Sequence, residues 1–111
     1  MGRYGVNLII LLLNNGIFGV EENVHGNDDP NKVHEYDKLA PWQYHKLPET
    51  MGCRDWFCTT VTTNADLESA LQKARKRPGA AYIEILMGSK LAAANSPEVL
   101  DRLYQAGTPK A

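Results

Sequence analysis

The polar groups best placed for chemistry stand directly after the most apolar stretch of the chain: Leu8 to Leu13 is aliphatic throughout, and Asn14, Asn15, Glu21, Glu22 and His25 follow it. In open α/β sheets, a buried parallel strand that ends in small polar residues and runs into a helix holds ligands at its carboxyl end, because that end faces the crevice. A ligand site is therefore expected here. Plainer readings compete with it. Asn14-Asn15 also suits a polar turn that satisfies strand-end amides, and Glu21-Glu22 suits the first turn of a helix, where acids complement the macrodipole. His25 ends the helical stretch, while His34 and His45 lack the spacing of a shared metal site, and isolated histidines are mostly structural or solvent-facing. Cys53 and Cys58, with no second pair, make neither a zinc module nor a disulfide framework. They are expected as reduced, partly buried thiols.

The elements that must position these groups read as alternating strands and helices. Val6 to Leu13 shows no period-2 alternation, so a strand covered on both faces is expected, each buried aliphatic contributing roughly 1.5 to 3 kcal/mol. Asn14 to Gly16 break it, and Phe18 to His25 suit about two helical turns closed by Gly26. Gly26 to Pro41 reads as a long polar loop. Trp42 to Met51 suits a helix that Pro48 shortens or breaks. Trp56 to Thr62 is rich in aromatic and β-branched residues and predicts a second strand. Thr63-Asn64-Ala65-Asp66 is an N-cap signature, after which Leu67, Ala70, Leu71 and Ala74 recur at helical spacing before Arg75, Lys76 and Arg77. Pro78-Gly79 ends that helix. Ala80 to Met87 predicts a third strand, parallel to the second through a right-handed crossover. Ser96-Pro97-Glu98 opens a last helix with Val99, Leu100 and Leu103 as its stripe, and Gly107 closes it. No internal repeat is present. The fold class is α/β: a three-stranded, mostly parallel sheet with flanking helices.

A chain of 111 residues allows one domain at most. With 12 basic against 13 acidic residues the net charge is -1, which points to neither nucleic acid nor an anionic membrane surface. The apolar run is far shorter than the roughly 20 residues of a bilayer span. As a signal peptide it is poor, because its n-region carries only Arg3 and it ends in Asn-Asn. Val6 stands where a myristoylation signal wants Ser or Thr. A cytoplasmic location is expected.

The run Asn14-Asn15-Gly16-Ile17-Phe18-Gly19-Val20-Glu21-Glu22-Asn23-Val24-His25-Gly26 resembles the N-N-x-G-Y-T-I/V-E-x-x-I-H-G segment of the thiamine diphosphate-dependent 2-oxo acid decarboxylases, the pyruvate and indolepyruvate decarboxylase group. Arg3-Tyr4-Gly5 resembles the helix end before that strand, and Trp42 with Leu47-Pro48 and Met51-Gly52 resembles the family's later W...LP..FG. The resemblance covers most of the chain, but only the second half of the family's C-terminal cofactor-binding domain: a partial thiamine diphosphate-binding domain over 1–107, with a flexible tail at 108–111. It implies thiamine diphosphate and Mg²⁺ as cofactors. In the family, Mg²⁺ bridges the diphosphate to an Asp of a G-D-G motif, to an Asn side chain downstream, and to a backbone carbonyl two positions further on. Matched by position, Asn15 is the side-chain ligand and Ile17, where the family usually has Gly, gives the carbonyl. Phe18 and Val20 fall at cofactor-binding positions, Val20 as the apolar support of the bent cofactor. Glu21 matches the catalytic Glu that serves as general acid/base beside the reacting centre.

Several of the family's parts are not encoded in these residues. The G-D-G motif is absent, and none of the 13 residues before Asn14 is acidic. A divalent cation held by one amide and one carbonyl should bind weakly. The family's cofactor-activating Glu and substrate-side histidines belong to a separate N-terminal domain of the neighbouring subunit. The resemblance thus implies a fragment of a lyase, started at an internal methionine by truncation or gene capture, which keeps part of the Mg-diphosphate site and is not catalytic alone. Two alternatives stand beside it: a small oligomeric interaction protein on a remnant fold, and one subunit of a split decarboxylase whose partner chain carries the G-D-G half. The family's strand order places the third strand between the first two, leaving Leu8 to Leu13 on an edge. An apolar edge with unpaired backbone invites another chain, so a homodimer or higher oligomer joined edge to edge is expected.

Overall fold

The computed structural model describes residues 2–19, 21 and 33–87. The chain divides into two compact units, one of Met1–Asn15 and Ala40–Met87, the other of Gly16–Leu39 and Gly88–Ala111. The expected final helix from Ser96, the tail 108–111, and Val20, Glu22 and His25 lie outside the described residues.

The first unit is built on a parallel sheet of strands β1 (Ile9–Asn14), β2 (Phe57–Val61) and β3 (Ala81–Leu86), in the order β1-β3-β2. Ile9 to Asn14 of β1 pair with Ala81 to Leu86, and Phe57 to Val61 of β2 pair with Ala81 to Ile85. The third strand in sequence is thus the central one, as expected, and the α/β class holds. The connection from β2 to β3 is the helix Asn64–Lys76. Thr63 caps it: the hydroxyl oxygen accepts from the Asp66 amide at 3.1 Å, satisfying one of the amides that a helix start leaves unpaired. Arg75 and Lys76 fall in its last turn, where cations complement the carbonyl end.

Side chains alternate across a strand, and the two faces of this sheet are bound by different forces. On one face Ile83, fully buried, packs with Val61 and Ala70, and Phe57, Leu67, Leu71 and Ile85 close around them. This is the expected helix stripe meeting β2 and β3. On the other face lie Glu84 and a 3-10 turn, Tyr44–Lys46, which runs into one short helical turn, Leu47–Thr50. Pro48 does not break this segment. It sits in the first turn, where a missing amide proton costs nothing.

Two expectations are corrected. The first strand begins at Ile9 rather than Val6, includes Asn14, and is not covered on both faces: Ile9, Leu11 and Leu13 are 37%, 46% and 65% exposed. The continuous aliphatic run conceals an alternating burial, because the long helix packs on β2 and β3 and those three side chains fall to the open part of its face. Nor is the stretch before Pro41 wholly irregular. Glu35–Asp37 forms a 3-10 turn and Lys38 makes an antiparallel bridge with Ile17.

Replacing Ile83 by Ala removes a fully buried side chain from the centre of the only cluster under the helix among the described residues. It is expected to lower unfolding free energy by about 2–5 kcal/mol in chemical denaturation, whereas Leu13→Ala, at an exposed position, is expected to change it by less than about 1 kcal/mol.

Candidate functional site

The end of β1 is where the first unit gathers its polar groups. Asn14 is the last residue of the strand, and its carbonyl accepts from the Met87 amide at 2.8 Å. Its side chain faces the sheet side opposite to the helix and donates from Nδ2 to Glu84 Oε1 at 2.9 Å. Glu84 is the partner of Leu12 in β1 and of Thr60 in β2, so Thr60 lies beside it and Asn14 diagonally ahead on the same face.

Glu84 is only 2% exposed, and its second oxygen takes three further donors. The His45 amide reaches Oε2 at 3.1 Å, the His45 ring Nδ1 at 2.9 Å and the Thr60 hydroxyl at 3.3 Å. Burial acts to raise the Glu84 carboxyl, but the hydrogen bonds from Asn14, from His45 through ring and backbone, and from Thr60 outweigh it, and its pKa is lowered from 4.5. The carboxylate is therefore ionised at neutral pH, and the His45 ring donates its Nδ1 proton to it.

Neither Glu84, Thr60 nor His45 was singled out as a site residue from the sequence. A signal for Glu84 was present: it is the lone charge within Ala80 to Met87, an otherwise apolar and aromatic strand. Asn14, expected in a polar turn after the strand, is instead the last residue of β1, and its side chain reaches across the sheet to β3. Asn15 follows, half-buried, at the end of the first unit.

The second unit holds the remaining sequence candidates. Gly16 sits at φ +72°, a backbone region that side chains disfavour. Ile17 is buried, and its bridge to Lys38 is made through neighbours: the Gly16 carbonyl accepts from Leu39 and the Phe18 amide donates to Asp37, each at 2.8 Å. Phe18 is 55% exposed, and Glu21 is exposed in helical backbone. His34 stacks on Tyr36 with ring centroids 5.0 Å apart, so the structural reading of this histidine holds. Sequence position alone connects Ile17, Phe18 and Glu21 to Asn15.

Donor chemistry decides what such groups can hold. An amide oxygen and a main-chain carbonyl, the donor types of Asn15 and Ile17, are hard ligands of the kind Mg²⁺ takes. Glu84, 2% exposed and with four donors on its two oxygens, is committed to bonds within its own unit. Among the described residues no group of three or more His, Cys, Asp or Glu is arranged to hold a metal ion. Cys53 and Cys58 are free and half-buried, and burial, followed by nearby Glu49, raises the Cys58 thiol. No helix among the described residues is long and apolar enough to cross a membrane.

The lowered pKa of Glu84 sets a pH dependence with a definite sign. A carboxyl whose folded pKa lies below its unfolded value of 4.5 contributes stability that is complete above that value and is lost as pH falls through the folded one. The stability difference between the wild type and Glu84→Gln is expected to stay constant from pH 7 to about 5 and to shrink below about 4.5, read by urea unfolding across that range. Glu84→Ala at neutral pH is expected to cost about 3 kcal/mol, since four donors lose their acceptor.

Comparison with known proteins shows the family. Residues 1–85 match the family described as thiamine pyrophosphate enzyme, C-terminal TPP binding domain. The chain is also similar to proteins named alpha-keto-acid decarboxylase: 28% identical over 74 residues to that of Mycobacterium avium, 27% over 74 to that of Mycolicibacterium paratuberculosis, and 28% over 75 to that of Mycobacterium tuberculosis. These alignments cover 67–68% of this chain and 12% of each relative, so the chain spans about an eighth of the length of the relatives it matches. With a parallel β1-β3-β2 sheet, a polar β1 end and a family match over 1–85, the chain belongs to the C-terminal cofactor-binding domain family of the thiamine pyrophosphate enzymes.

Proposed function

We propose that this chain carries one half of a thiamine diphosphate and Mg²⁺ site of the 2-oxo acid decarboxylase type, and that it does not catalyse alone. The observation that supports this most directly is the family match over 1–85, together with the position of Asn15 directly after Asn14, the tied last residue of a parallel strand. In this reading the Asn15 amide oxygen and the Ile17 carbonyl are Mg²⁺ ligands, and Phe18 and Val20 flank the cofactor. Bound thiamine diphosphate supplies the electron sink for cleavage of the bond next to a 2-oxo group. The chain's own residues orient the diphosphate end, and Glu21 holds or passes a proton at its carboxyl. The carboxylate ligand and the activating groups come from outside these residues, either from a partner chain carrying a G-D-G motif or from further sequence.

Calorimetric titration with thiamine diphosphate is expected to give weak binding that requires Mg²⁺, to lose about tenfold or more on Asn15→Ala, and to be little changed by Glu21→Gln. Absence of Mg²⁺-dependent heat from folded protein would sink the half-site reading.

A second reading is favoured by β1 itself. Among the described residues it pairs only with β3, and its exposed Ile9, Leu11 and Leu13 carry no charge to discourage pairing. In that reading the chain is an oligomeric interaction protein, with two copies joined along this edge. Sedimentation should then show a dimer or larger species for the wild type and a monomer for Leu11→Lys; a monomeric wild type excludes it.

A further inference from the structure

We infer that Glu84 is a positioning residue for the end of β1, setting through Asn14 the direction in which Asn15 is presented. For its bearing on cofactor this rests on the reading of Asn15 as a Mg²⁺ ligand; its structural half stands without it.

The end of an edge strand has a neighbour on one side and frays readily. Here Asn14 is tied to the central strand region through its carbonyl to the Met87 amide at 2.8 Å and through its side chain to Glu84 at 2.9 Å. The second anchor is fixed in turn. Glu84 is 2% exposed and its other oxygen is held by Thr60 of β2 and by both the amide and the ring of His45. The carboxylate therefore has no freedom to follow Asn14, and Asn14 must come to it. Asn15 is the next residue, so rotation of the last peptide of β1 swings its side chain directly. A metal ligand tolerates little of that, since productive geometry is held within about 0.5 Å.

The tie depends on charge and not on shape alone. Four donors converge on two oxygens, and Gln would turn one of those acceptors into an NH₂ facing donors. Glu84 itself is 2% exposed and bonded at both oxygens by groups of its own unit. It acts through Asn14, as outer partners of metal ligands generally do.

The test is amide hydrogen exchange by NMR on the wild type, Glu84→Gln and Asn14→Ala, with a Mg²⁺ titration of thiamine diphosphate binding on the same samples. In both variants, exchange at the amides of Asn14 and Met87 is expected to rise about tenfold or more relative to Ala70–Ala74 of the long helix. The Mg²⁺ concentration for half-saturation is expected to rise by a similar factor. If Glu84→Gln does not fold, Asn14→Ala decides alone, because it leaves the other three donors on Glu84. An even rise across strand end and helix overturns the inference, since it would mark general destabilisation, and so does unchanged exchange at Asn14 and Met87. A wild type that binds the cofactor no more tightly than the variants overturns the cofactor half. A wild type with no Mg²⁺-dependent binding instead removes the half-site reading, and the exchange ratios still decide the role of Glu84.

Discussion

Taking a carboxylate out of water costs several kcal/mol, and only close, well-aimed partners offset it. Glu84 imposes that requirement on the first unit. Its partners come from three parts of the sequence, Asn14, His45 and Thr60, separated from it by 70, 39 and 24 positions. Each must arrive at hydrogen-bond distance, or the buried charge is left under-compensated. The end of β1, the Tyr44–Lys46 turn and β2 are thereby placed relative to the central strand by directional bonds.

The opposite face of the sheet works by other means. Ile83, Val61 and Ala70 exclude water without regard to angle, and the half-buried leucines of the helix complete the seal. Apolar packing of this kind supplies most of the driving force but tolerates small slips of one element along another. Hydrogen bonds to a single buried carboxylate do not. A sheet with a non-directional face and a directional one combines stability with a fixed strand end, and that end is where the proposed half-site begins.

The same strand is the least covered in the unit. β1 carries three exposed aliphatic side chains on the helix side while its last residue is tied down on the other. The two proposed readings differ in what would cover that apolar face, the remainder of a cofactor domain or a second copy of the chain.

Local physics made much of this legible in the residues themselves. The three strands, the Thr63 cap, the stripe of Leu67, Ala70, Leu71 and Ala74, and the stop at Pro78-Gly79 follow from side-chain shape, periodicity and backbone donors within a few positions of each other. The family was readable for a similar reason, because its motif runs without a gap from Asn14 to Gly26. What the tertiary structure alone decided are relations between distant segments. The exposure of Ile9, Leu11 and Leu13 depends on where the helix crosses the sheet, which no property of the aliphatic run reports. The role of Glu84 depends on strand order and register, which set Thr60 beside it and Asn14 diagonally ahead. A charge inside an apolar strand announces that some partner must exist; only the folded chain says which, because the bonds that hold it join residues that are remote in sequence and adjacent in space.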